Sequence, residues 1–128
     1  MIPELTPKSA LLLAAITVSQ VDGELDDNEV AIINRLDGFT TSEDWDVAIA
    51  FWNQSTLNEC VSIVAKCLNP KQQRVAIANM IDIAMADGYF DEDENLLLRA
   101  YIKQFDVDDQ DIEKIVDVLT IKNNNSVF

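Results

Sequence analysis

Asp22-Gly23-Glu24-Leu25-Asp26-Asp27-Asn28-Glu29 returns later in the chain as Asp87-Gly88-Tyr89-Phe90-Asp91-Glu92-Asp93-Glu94. Both stretches read D-G-x-apolar-D-x-x-E, and each follows a long apolar run, residues 10–18 and 75–86. Gly is free to take the left-handed conformation that commonly ends a helix. The Asp three residues on (Asp26, Asp91) suits an N-cap, and the Glu after it (Glu29, Glu94) completes a capping box. Leu25 and Phe90 plug the core between them. Two helix–corner–helix units are therefore predicted, and the fold follows from them: all-α.

Outward from the corners, the same grammar repeats. Thr6-Pro7 opens the first helix with a cap and then Pro, whose missing N–H costs nothing at the first helical position. Residues 10–18 are apolar almost all round, which predicts a central helix. A second helix runs from Asp26 to about Leu36, before Asp37-Gly38. Thr41 or Ser42 caps a third, with Trp45, Ala48, Ile49 and Trp52 on one stripe facing the core. Thr56-x-x-Glu59 opens a fourth through Val61, Ile63, Val64 and Leu68. Asn69-Pro70 starts a fifth, the twin of the first, with Ala76, Ile77, Met80, Ile81, Ala84 and Met85 leaving little polar surface. The sixth follows Asp91 and carries Leu96, Leu97, Leu98, Tyr101 and Ile102. A seventh runs through Ile112, Ile115, Val116 and Leu119 to a polar tail, residues 123–126. The expectation is one domain over residues 1–128, a bundle of about seven helices with a two-fold internal repeat (cores roughly 10–36 and 75–104).

Composition agrees with this reading. A chain of 128 residues that is 48% hydrophobic, with only 3 Gly and 3 Pro, buries a core and favours helices over a sandwich. Its 23 acidic and 9 basic residues leave a net charge of -14. That charge disfavours nucleic acid and anionic membranes, which need clustered Lys or Arg, and suits a cation or a basic protein partner. The chain contains no His, which removes the usual general base, the commonest metal ligand and any Ser-His or Cys-His nucleophile. Cys60 and Cys67 sit about 10 Å apart along one predicted helix, too far to bridge, and read as small core hydrophobes. The run after Lys8 is short for a signal peptide and is followed by no A-x-A cleavage site. No stretch reaches the ~18 apolar residues that span a bilayer. A cytoplasmic, non-enzymatic protein is expected.

The corners have a second reading besides capping. Asp22 and Asp87 stand at helix C-termini, where the negative end of the macrodipole makes a carboxylate cost ~0.3–1 kcal/mol. Glu24 and Asp27 crowd the first corner, Glu92 and Asp93 the second. Such carboxylates repel one another unless a cation sits among them. Asp, Gly one later, an apolar residue three later and Glu seven later match the second half of an EF-hand loop. The first half is missing: Val18 and Gln20, or Ile83 and Met85, stand where its oxygen ligands belong. Each corner alone is an incomplete cage, and six carboxylates gather only if the two corners meet. With oxygen donors alone, the ion would be Ca2+ first, then Mg2+ or Mn2+.

The stretch Ile83-Ala84-Met85-Ala86-Asp87-Gly88-Tyr89-Phe90-Asp91-Glu92-Asp93-Glu94 resembles the tellurite-resistance TerB-like family. Val18-Ser19-Gln20-Val21-Asp22-Gly23 is a looser first copy, with Ser19 and Val21 where the family pattern favours Ala. The resemblance spans about Leu11 to Phe105. It implies a helical bundle whose paired acidic motifs hold a metal ion, with candidate ligands Asp22, Asp26, Glu29, Asp87, Asp91 and Glu94. It also implies a part in tellurite or other chemical-stress resistance. Some relatives carry a J-domain, but its His-Pro-Asp motif has no counterpart in a chain without His. The other functional reading is a protein-interaction bundle whose acidic motifs are only caps.

Overall fold

The structure is a computed structural model describing residues 4–20, 35, 43–85, 92–122, 124 and 126, the side chain of Glu94 excepted. It contains six α-helices among these residues: α1 Pro7–Gln20, α2 Glu43–Gln54, α3 Leu57–Cys67, α4 Pro70–Ala84, α5 Glu92–Phe105 and α6 Asp109–Lys122. The fold is all-α, as the capping grammar predicts. The expected helix from Asp26 to about Leu36 lies outside the described residues except for Arg35, which is helical. Six helices are thus described where about seven are expected.

Helix starts follow the local sequence. Thr56 Oγ1 accepts from the Glu59 N–H at 3.2 Å, and the Glu59 carboxylate accepts from the Thr56 N–H at 3.0 Å. Asn69 and Gln72 make the same reciprocal pair at the head of α4, with Pro70 next to the cap. At α1, Thr6 exchanges bonds with Ser9 in place of a Glu, 3.1 Å from the Ser9 N–H and 2.7 Å from its own N–H to Ser9 Oγ. Thr6 Oγ1 also donates to Asp44 at 2.6 Å, tying the start of α1 to the start of α2. Each cap satisfies N–H groups that the first helical turn leaves without partners.

α1 is the axle. Ten of its residues are buried, on every side of the helix, and it packs against α2, α3, α4 and α5. Leu12, Leu13, Ala14 and Val18 are fully enclosed, each large side chain worth about 1.5–3 kcal/mol on leaving water. α4, its sequence twin, buries Ala76, Ile77, Met80, Ile81, Ile83 and Ala84, and packs against α1. Cys60, Val61 and Val64 from α3 and Leu97, Leu98, Tyr101 and Phe105 from α5 complete the core. Trp45 and Trp52 pack against its edge, half-buried.

Three details depart from the sequence expectation. Val75 and Leu96 lie on the solvent sides of their helices, 51% and 55% exposed. Cys67 is half-buried and donates to the Leu5 carbonyl at 3.3 Å, so of the two cysteines only Cys60 is a core residue.

α6 is the most loosely held helix, with no fully buried residue; Ile112, Ile115 and Leu119 pack from it onto the core. Ion pairs join it to α4 near both ends: Arg74–Asp111 at 3.3 Å and Asp82–Lys122 at 3.1 Å. Their order along both helices makes α4 and α6 parallel. α5 ends on Asp106 in the left-handed region, φ 54°. The Val107 N–H bonds back to Ile102 and the Asp106 N–H to Lys103, both at 3.3 Å. This is a Schellman cap with Asp where Gly is usual. Among the described residues no helix is long and apolar enough to cross a membrane.

Candidate metal centre

The helices that precede the two acidic phrases stay buried to their last turn. In α1 this holds for Val18 and Ser19, whose Oγ donates to the Ala15 carbonyl at 2.8 Å. In α4 it holds for Ile83 and Ala84, and the Met85 N–H closes the helix on Ile81 at 3.0 Å. The two helices that lead into the acidic phrases thus belong to the buried centre of the molecule.

Of the six candidate ligands, Asp22, Asp26, Glu29, Asp87 and Asp91 lie outside the described residues. Glu94 lies in the first turn of α5, its side chain outside them too. What is described is the frame. α5 begins at Glu92, the residue that follows Asp91 in the sequence. Among the described residues no group of three or more Asp, Glu, Cys or His is placed to hold a metal ion. The chemistry of the candidate set fits a hard divalent cation, since every donor would be a carboxylate oxygen.

One charged residue near this frame was not legible in the sequence. Asp82, in the last turn and a half of α4, is buried, with its side chain 11% exposed. Its Oδ2 takes Lys122 Nζ at 3.1 Å and Arg35 Nη2 at 4.0 Å. The carboxylate joins α4, the end of α6 and the segment that lies between the two acidic phrases. The available signal was a single acid inside an otherwise apolar run.

A second polar contact crosses the core. Thr17 Oγ1 donates to the Ala14 carbonyl at 2.7 Å and meets Tyr101 Oη at 2.8 Å. With the threonine proton directed to Ala14, the tyrosine is the donor between the two hydroxyls. Burial raises the Tyr101 pKa. Burial also pushes the Cys60 thiol up to about 11, with the Glu59 charge adding to it. Cys60 is therefore a protonated thiol at neutral pH, without thiolate reactivity. Glu59 is held below the usual carboxylate range by the Thr56 N–H and hydroxyl.

The sequence model of the family described as "Tellurite resistance protein TerB" matches residues 50–117, from within α2 to within α6. The chain belongs to the TerB family. The match contains the second acidic phrase, with Asp87, Asp91 and Glu94, and stops short of the first. Membership ties the chain to tellurite resistance and agrees with its all-helical fold. Comparison with curated proteins and with solved structures gives no match.

Proposed function

We propose that this TerB chain is a non-enzymatic, cytoplasmic module that binds a divalent cation, Ca2+ in preference to Mg2+ or Mn2+, in a tellurite or chemical-stress resistance system. The ligands are Asp22, Asp26 and Glu29 of the first phrase with Asp87, Asp91 and Glu94 of the second. The observation that carries this reading is the packing of α1 against α4, the two helices that lead into those phrases. Each corner alone is half a cage, and a shared core under both is what pairing them requires. The ion supplies charge neutralisation among crowded carboxylates. With only hard oxygen donors proposed, the resistance role is indirect and no reduction of tellurite is assigned to the chain.

The start of α5 at Glu92 favours a second reading, in which the acidic motifs only cap helices and the acidic surface recruits a protein with a basic face. Thermal unfolding of EDTA-stripped protein at constant ionic strength, titrated with Ca2+ and separately with Mg2+, separates the two. A ligand that binds only the folded state stabilises by ~2.7 kcal/mol at a hundred times its dissociation constant. The cation reading requires a saturable rise in Tm with Ca2+ that is absent from Asp22→Asn/Asp87→Asn. A flat titration, or equal small rises with both ions and in the variant, assigns the motifs to capping alone.

A further inference from the structure

Against its overall charge, the chain carries an apolar strip edged with positive charge. Two open hollows flank α4, of about 370 and 340 Å³. The first, toward the start of α1, is lined by Pro7, Leu11, Leu68 and Val75, with Lys8 and Lys71 at its rim. The second, toward α6, is lined by Val75, Ala78 and Ile115, with Arg74, Lys114 and Asp111 around it. Val75, 51% exposed, is common to both and forms the ridge between them. Among the described residues no acidic side chain lines the first hollow, and the single one at the second, Asp111, is paired with Arg74 at 3.3 Å. Lys8, Lys71 and Lys114 have no carboxylate within 4.0 Å among the described residues.

We propose that this strip docks an amphipathic helix of a partner protein, apolar side down over Val75, with its acidic side chains facing Lys8, Lys71 and Lys114. The sign of the charge selects the occupant. In a chain with 23 acidic and 9 basic residues, four basic and one acidic side chain border the two hollows among the described residues. A basic helix would meet Lys8, Lys71 and Lys114 here and be repelled. At physiological salt, charges beyond about 8 Å are largely screened, so the local lysines outweigh the distant net charge. Shape points the same way: shallow paired hollows on either side of one helix take the i, i+3, i+4 and i+7 side chains of a second helix. A small molecule seated in either open hollow would have most of its surface left in water.

The test pans a phage-displayed random peptide library on the full chain, with counter-selection on Lys8→Glu/Lys71→Glu/Lys114→Glu. Sedimentation of the chain alone and with phosphatidylserine vesicles accompanies it. All three lysines are exposed, and unchanged far-UV circular dichroism verifies the variant; Val75→Asp serves as an independent second variant. The expected result is enrichment of helical peptides that combine apolar i, i+4, i+7 residues with Asp and Glu. These bind the unmodified chain at least tenfold tighter than either variant, and more weakly as salt rises. No enrichment, enrichment of basic peptides, or acidic peptides that bind the variants equally well overturns the proposal. So does self-association abolished by Val75→Asp, which gives the strip to a second copy. Vesicle binding lost in the lysine variant gives it to a membrane and overturns it as well.

Discussion

At the scale of single residues, the Thr17–Tyr101 contact shows how a mostly apolar core encodes one particular arrangement. Tyr101 is fully enclosed, and its hydroxyl meets Thr17 from the other end of the chain. The two hydroxyls are not equivalent, because Thr17 already donates to Ala14. Removing the tyrosine oxygen in Tyr101→Phe leaves Thr17 with its own bond and costs about 0.5–1.5 kcal/mol. Thr17→Val instead strands a buried tyrosine O–H, which costs about 1–3 kcal/mol. Chemical denaturation of the two variants is expected to place Thr17→Val below Tyr101→Phe; the reverse order means that Thr17 is the donor between the two. The pairing was illegible in the sequence, where Thr17 is one β-branched residue in an apolar run. Asp82 was illegible for the same reason: its partners Lys122 and Arg35 lie far away along the chain.

At the scale of elements, helix starts were legible and helix faces less so. Thr56-x-x-Glu59 and Asn69-Pro70 mark their caps because a cap is a contact between residues three apart, written wholly in the local sequence. The end of α5 was less legible. Asp106 takes a left-handed conformation that costs a residue with a Cβ roughly 1–2 kcal/mol, somewhat less for Asp. It also adds a negative charge at a helix C-terminus. Asp106→Gly relieves both, and denaturant titration is expected to show a gain of about 0.5–1 kcal/mol. A loss of stability would mean that the carboxylate makes a compensating bond. Val75 and Leu96 belong to this scale too. Periodicity places them beside core positions, but which side of a helix meets solvent depends on the neighbours it acquires.

At the scale of the whole molecule, net charge acts on every part of the surface at once. A charge of -14 on 128 residues repels itself in the compact state. Raising NaCl from about 10 mM to about 500 mM shortens the screening length from roughly 30 Å to below 8 Å. Tm is expected to rise by several degrees over that range, without saturable midpoint and equally with KCl. An unchanged Tm would show the carboxylates to be spaced widely enough not to interact. The same effect fixes the condition for cation titrations, which separate binding from screening only at constant ionic strength.

Helical class, the caps at Thr56 and Asn69 and the two central helices were written in the sequence alone, because hydrophobic period and capping chemistry act over a few residues. So was the TerB resemblance, carried by a short motif at the end of an apolar helix and matched over residues 50–117. Tertiary structure alone decided what lies far apart in sequence: the packing of α1 on α4, the carboxylate of Asp82 between Lys122 and Arg35, and the basic-edged hollows on either side of Val75. Each of these is set by where helices cross, and crossing is fixed by the shapes of whole packed faces, which no local spacing records.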